Sequence, residues 1–253
     1  MGESMSNVLI SKLKLFLIGF ISVTIMWYIA FLIINQNVMP NPFLVYASLP
    51  NLFANNIVLH FQRSFYRVFV GLSISMILGL VIGILAAGNG FISKIVNPFI
   101  YFTYPIPKVA LLPVVMLMFG LRDTSKIIMI VMIIVYQIVV VVRDTVRNIP
   151  KETYNTLNCF GATKSQMFFH ITLPWALSSI LSTMRVALGT AISVLFFTET
   201  YGTRHGMGFF IIDAWMRMDY IQMYSGIVVL SFVGFILFVV IDILEGIFLK
   251  WKD

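Results

Sequence analysis

Uncharged apolar runs recur along this chain from residue 15 to residue 241, and their lengths carry the first inference. A helix needs about 20 apolar residues to cross the hydrocarbon core of a bilayer. Residues 15–34, 68–87 and 220–241 reach that length without a charge. Residues 127–142 fall short, but the flanking Lys126 and Arg143 have stems long enough to snorkel to the interface and extend the span. Two further runs each enclose one cation, Lys108 within 95–121 and Arg185 within 174–198. The pattern predicts an all-α integral membrane protein of about six transmembrane helices. An anchor helix and outer linker occupy 1–63, and the transmembrane core occupies 64–253.

Two of the spans have a texture that lipid contact alone does not require. The third carries Pro98, Pro105, Pro107 and Pro113 in NPFIYFTYPIPKVALLPVVMLMFG. Each proline removes an amide donor, and carbonyls freed in lipid must find other partners, so this segment belongs inside the protein, lining a cavity or a subunit contact. The second span sets Gly71, Ser75, Gly79, Gly83 and Ala87 at a spacing of four. Small residues at that spacing line one helix face and let another backbone approach, which predicts a helix-packing surface.

Composition agrees with the bilayer and removes other classes. Of 253 residues, 60% are apolar or aromatic and 11% are charged, where an ordinary soluble domain has about 25% charged residues. The net charge of +7 is spread between apolar runs. A nucleic-acid partner would need those cations gathered on one solvated face with aromatics among them, so none is expected, and lipid is the expected surrounding. The single Cys159 excludes an intrachain disulfide, and there is no CxxC or Cys/His cluster to hold a metal. Lys12 and Lys14 before the first run resemble a secretory signal, but 20 uncharged residues exceed a signal core of about 7–15, and no small-x-small site follows. The run is read as an anchor.

Six crossings put both termini on one side. Lys12, Lys14, Lys94, Arg143, Arg147, Lys151, Lys164, Lys250 and Lys252 share that side, while Arg63, Arg67, Arg122, Lys126, Arg204 and Arg217 fall opposite. Nine cations against six place the termini in the cytoplasm.

On that same side residues 148–174 form a long connection. Pro150 opens a first short helix and Gly161 ends it in a left-handed cap. Thr163 and Gln166 have capping-box spacing, so a second helix should start there and run to Pro174. Met167, Phe168, Phe169 and Ile171 give it more apolar surface than a free loop shows to water, to be covered by a protein partner or laid on the membrane.

In this loop the chain resembles the permease subunits of bacterial ATP-binding-cassette (ABC) importers, in the nitrate, sulfonate and taurine branch. Those loops carry a Glu-Ala-Ala stretch, a glycine after it, and a Leu-Pro pair whose proline lies thirteen residues beyond that glycine, as Gly161, Leu173 and Pro174 stand here. The segments SFYRVFVGLSISMILGLVIGILAAG, YPIPKVALLPVVMLMFG, MRVALGTAISVLFFTET and GMGFFIIDA are similar to that branch's second, third and fifth spans and outer segment. The resemblance covers roughly residues 64–250. One departure is clear: Asn155, Thr156 and Leu157 stand at the Glu-Ala-Ala positions, so the acidic contact is missing.

The resemblance implies a multi-pass protein of the bacterial cytoplasmic (inner) membrane. It also implies two copies forming a solute pathway, two separate ABC ATPase subunits and an extracytoplasmic solute-binding protein. Asn155, Thr156, Leu157, Gly161, Ala162, Leu173 and Pro174 would form the coupling surface for the ATPase. The solute would be a small organic or inorganic anion such as a sulfonate or nitrate. This chain has no GxxxxGK[ST] loop, so it is expected to be non-catalytic and to hold no cofactor, with ATP and Mg on the partner ATPase. A secondary transporter or channel shares the composition but has no need of such a docking loop. An intramembrane enzyme would want paired carboxylates, a Ser/His pair or a His cluster in its spans, and none is present.

Ionisable groups within spans are costly and count as candidates for function. Lys108, Arg185 and Glu199 are the candidate pathway residues, with Glu199 placed to pair with either cation. The alternative role for the two cations is a structural ion pair or an interfacial position. Asp213 and Arg217 read as an exposed helical pair, and His60, His170 and His205 read as isolated.

Overall fold

The computed structural model describes residues 5–54, 57–88 and 90–248, and among these the chain is helical with no strand. Lys250 and Lys252, used in the charge balance, lie outside the described residues. The chain divides into two compact units. One holds the residues up to Val58 together with Phe210–Val228; the other holds Leu59–Phe209 and the residues from Val229.

In the first unit α1 (Met5–Ile34) is followed by α2 (Pro42–Ala54). Asn35 ends α1 with φ of 44°, a left-handed position that asparagine tolerates. The Asn41 side chain accepts from the Phe43 amide at 2.9 Å and caps α2. Trp27 stacks on Tyr224 at 5.1 Å between centroids and meets Tyr46 edge-on at 6.0 Å, so aromatic contacts tie α1 and α2 to this unit's other segment.

The second unit is built around α6 (Asp123–Arg147), which packs against α9 (Leu173–Glu199). Ile130, Ile134, Ile138 and Val142 of α6 and Ala187, Ala191 and Leu195 of α9 are fully buried, each set at a spacing of four. The same row of α6 also receives α3 (Ile57–Ala87). A Cβ built on Gly71 would lie 2.7 Å from Ile130, on Gly79 2.5 Å from Ile138, and on Gly83 2.7 Å from Val142. Any side chain there would push the helices apart, because the opposing branched residues have little rotamer freedom in a helix. Ser75, on the same stripe, is buried and returns its hydroxyl to Gly71 O at 2.7 Å.

The proline-rich segment forms α4 (Phe91–Thr103), a short 3₁₀ turn Lys108–Leu111, and α5 (Leu112–Phe119), with the two helical halves bent by 91°. Pro105 and Pro107 occupy the break, Pro98 lies inside α4, and Pro113 sits in the first turn of α5, where its missing amide costs nothing. Among the described residues five helices are long and apolar enough to span a bilayer, and the bent pair would make a sixth if it is one span. The pair runs from one end of α6 to the other. At its start Ser93 bonds Ala86 O and is met by Arg147; at its far end Leu121 lies against Gly202 and accepts from Lys126. Arg147 and Lys126 stand near opposite ends of α6, whose 25 residues reach roughly 37 Å.

The loop over 148–174 forms α7 (Lys151–Cys159), α8 (Lys164–Met167) and a π turn Phe168–Thr172 that leads directly into α9. The second loop helix therefore does not stop at Pro174. Leu173 N–H reaches Phe168 O, five residues back, and this wider turn delivers Pro174 into the first turn of α9, where no amide is needed. The snorkelling role for Lys126 also fails: the residue is fully buried and its Nζ donates to Leu121 O at 2.6 Å. The tenth and eleventh helices are α10 (Met207–Met216) and α11 (Tyr220–Phe248).

Candidate functional site

The loop between α6 and α9 is held in one shape by its own backbone. After α7, Ala162 N–H bonds Leu157 O at 3.1 Å and Gly161 N–H bonds Asn158 O at 2.9 Å, with Gly161 at φ of +74°. These two bonds make a Schellman cap, which requires a left-handed residue at Gly161. Thr163 and Gln166 form a reciprocal capping box, the Thr163 amide reaching Gln166 Oε1 at 2.8 Å. The hydroxyls of Tyr154 and Thr172 meet at 2.9 Å and tie α7 to the π turn.

This scaffold presents Asn155, Thr156, Gly161 and the aromatic rings of Phe160, 84% exposed, and Phe169, 58% exposed. Leu157, Ala162, Leu173 and Pro174 are half-buried behind them. Large exposed rings on a rigid, capped loop form a surface suited to a partner, where the free energy of ordering has already been met by the fold.

From the loop, Lys164–Glu199 runs as one helical span of 36 residues, about 54 Å long. Its far end is anchored by charge. Glu199, fully buried, accepts from Arg67 Nη1 at 2.6 Å, Ser64 Oγ at 2.8 Å and the Gly208 amide at 2.8 Å. Arg67, also buried, reaches Asp123 Oδ1 through Nη2 at 2.6 Å and His205 O through Nη1 at 2.9 Å. Ser64 Oγ in turn accepts from the Met207 amide at 2.7 Å. The ends of α3, α6 and α9 and the start of α10 thus meet at one paired, hydrogen-bonded cluster.

Three sequence expectations change here. Glu199 pairs with Arg67, and with neither Lys108 nor Arg185. Arg67, counted among loop charges, is buried in the cluster. His60 and His205 are not isolated: their rings lie 5.7 Å apart, and His60 Nδ1 is 3.0 Å from Gly206 O. The missed signal was in the small-residue stripe, because Arg67 lies one four-residue step before Gly71 and so points at the same packed face. Asp213 and Arg217 form the expected exposed pair at 2.8 Å.

Arg185, midway along α9, pairs with Asp242 at 2.8 Å and with Glu245, both on α11. Lys108 opens the turn at the break between α4 and α5. Its Nζ donates to Thr103 O at 3.2 Å and lies 4.2 Å from the centroid of the Tyr136 ring. Among the described residues no ion pair includes Lys108. Of the three candidate pathway residues it alone keeps a cation without a carboxylate partner, and the fold brings none of the three together.

Residues 79–252 match the family described as binding-protein-dependent transport system inner membrane component. A formylaminopyrimidine transport permease of Halalkalibacterium halodurans is 26% identical over 92% of this chain and 94% of its own length. A putative aliphatic sulfonates transport permease of Bacillus subtilis is 26% identical over 87% of this chain and 80% of its own. A taurine transport system permease of Escherichia coli is 27% identical over 70% and 65%. Among solved structures, a chain of an inward-facing methionine ABC transporter aligns with a TM-score of 0.56 at 19% identity over 76% of this chain and 95% of that one. A chain of a bacterial alginate ABC transporter, solved with a periplasmic protein carrying an alginate pentasaccharide, aligns with a TM-score of 0.54 at 16% identity over 92% and 95%.

Proposed function

We propose, since the chain belongs to the binding-protein-dependent transport inner membrane component family, that this multi-pass permease subunit works as a lever between an ATPase and the solute pathway. Two copies form the pathway in the bacterial cytoplasmic membrane with both termini in the cytoplasm. Two ABC ATPase subunits, holding ATP and Mg, dock on residues 148–174, and an extracytoplasmic binding protein delivers solute. The observation that carries this reading is mechanical. The exposed, capped loop is continuous with α9, and the opposite end of α9 is fixed to α3 and α6 by the Glu199–Arg67–Asp123 cluster. A push on the loop becomes a tilt of α9 about that anchor, which is how alternating access would be driven.

Asn155 makes the docking contact neutral, so shape and the rings of Phe160 and Phe169 replace the family's acidic residue there. For the solute we favour a small anion such as a sulfonate, taurine or nitrate. Relatives named for the first two are similar to this chain, and Lys108 offers at the helix break a cation outside every ion pair among the described residues. The similarity to a formylaminopyrimidine permease over nearly the whole chain supports a second reading, a small heterocycle.

Uptake in cells expressing the permease, its ATPase and its binding protein tests this. Taurine or alkanesulfonate uptake that stops when the ATPase is omitted supports the proposal, formylaminopyrimidine uptake under the same conditions selects the second reading, and uptake without any ATPase overturns ATP coupling.

A further inference from the structure

At the end of the second unit where the coupling loop begins, a cleft between α4 and α6 is lined by Ser93, Lys94, Asn97, Tyr101, Arg143 and Arg147. Three cations converge on it, and one carboxylate, Asp144, answers them by pairing with Arg143 at 2.8 Å. Arg143 Nη1 is fixed by Asn97 Oδ1 at 3.2 Å. Arg147 Nη2 is fixed by Ala86 O at 3.0 Å and Ser93 Oγ at 3.2 Å. Among the described residues neither Arg147 nor Lys94 takes part in an ion pair, so the cleft keeps an excess of positive charge held by neutral partners.

The wall beside this cleft is apolar. On α4, Ile95, Phe99 and Phe102 follow one another on a single face and are 53%, 58% and 78% exposed, with Tyr101 at 85% next to the cations. A soluble anion would use the cations alone and gain nothing from the apolar stripe that adjoins them. A molecule with a negative head and two hydrocarbon chains uses both. We infer that this cleft binds the phosphate headgroup of an anionic phospholipid, its acyl chains lying along the exposed face of α4. Arginine donors match phosphate oxygens in a fixed fork, and Lys94 adds a mobile point charge. Basic clefts between membrane helices on the cytoplasmic side are suited to such headgroups. Arg147 stands just before Pro150 and α7, so the lipid would sit at the root of the coupling loop and steady its first helix.

Binding itself does not depend on the proposed coupling to an ATPase; only the choice of leaflet rests on the proposed orientation. The full-length permease purified in a neutral detergent is titrated with dioleoyl phosphatidylglycerol, dioleoyl phosphatidylcholine, or inorganic phosphate. Bound lipid is counted by native mass spectrometry and thermal unfolding is followed in parallel. Phosphatidylglycerol should be retained at least fivefold more than phosphatidylcholine, and only the former should raise the unfolding temperature. Lys94→Gln with Arg143→Gln should abolish the preference. Lys94→Gln alone, at an exposed side chain outside every described ion pair, should reduce it severalfold without altering the yield of folded protein, whereas Arg204→Gln at the opposite end should leave it unchanged. Equal retention of both lipids, or a preference that survives the double variant, would overturn the assignment. Stabilisation by inorganic phosphate equal to that by phosphatidylglycerol would assign the cleft to a soluble anion instead.

Discussion

Glu199→Gln removes one charge from the anchor of α9 while keeping the side chain's shape, and the structure says how much this should cost. Glu199 is fully buried and its acceptors meet Arg67, Ser64 and the Gly208 amide. Breaking a buried pair on one side costs about 3–5 kcal/mol, chiefly because the remaining charge is left uncompensated. Here Arg67 keeps Asp123 at 2.6 Å, so the loss should fall at the low end. About 3 kcal/mol corresponds to roughly a 150-fold change in the unfolding equilibrium. Purified protein in mixed micelles, unfolded by increasing dodecyl sulfate and followed by tryptophan fluorescence, reads this directly. Arg67→Met should cost more, since it deprives Glu199, Asp123 and the His205 carbonyl together. The double variant should lose less than the two singles added, by about 0.5–3 kcal/mol. If the cluster is the pivot of α9, Glu199→Gln should also lower solute moved per ATP hydrolysed while ATPase docking stays intact. Stability within about 0.5 kcal/mol of the parent, or strict additivity of the two changes, would show that the Glu199–Arg67 pair does not anchor α9.

Three further outcomes follow from named contacts. Gly79→Val places a branched side chain where a Cβ alone falls 2.5 Å from Ile138, so it should destabilise by about 1–3 kcal/mol, and Ile138→Ala should recover part of the loss; no loss in unfolding midpoint, or no recovery, would count against the α3–α6 contact. Lys108→Met should reduce uptake several-fold at unchanged membrane abundance, and normal uptake would return Lys108 to a structural role. In a Cys159→Ser background, single cysteines at Asn37 and Arg204, both exposed, should react with an impermeant maleimide from outside intact cells, whereas reaction only after permeabilisation would invert the topology. Gly206 is unsuitable for that label, because a Cβ there would lie 2.5 Å from Glu199 Cδ.

The candidate spans, the break in the proline-rich segment and the loop were legible because each has a strong one-dimensional signal. Run length against bilayer thickness gives the candidate spans, Pro105 and Pro107 give the break, and Gly161 with Thr163 and Gln166 gives the two-helix loop. The anchor cluster was not legible, because its charges lie at the ends of runs, where the same residues read equally well as loop cations. Arg67 and Lys126 were counted that way, and both are buried. What pairs them is register between distant helices, Arg67 with Glu199 across 132 positions of sequence. The continuation of the loop into α9 was hidden by Pro174, which reads as a stop until the π turn before it is seen.

If ATPase movement enters through the loop over 148–174, a change in the shape of its turn at Gly161 should uncouple it. At φ of +74° no neighbouring atom lies within 4 Å of a Cβ built there, so a substitution acts only through backbone strain. That strain is about 1–2 kcal/mol for an ordinary residue, more for a β-branched one, and less for asparagine. Permease carrying Gly161→Val or Gly161→Asn, reconstituted with its ATPase and binding protein, would be assayed for solute-stimulated ATP hydrolysis and for co-purification of the ATPase. Gly161→Val should insert its spans normally yet lose both docking and stimulated hydrolysis, while Gly161→Asn should retain most of each. Full docking together with full stimulated hydrolysis in Gly161→Val would show that ATPase movement does not enter there.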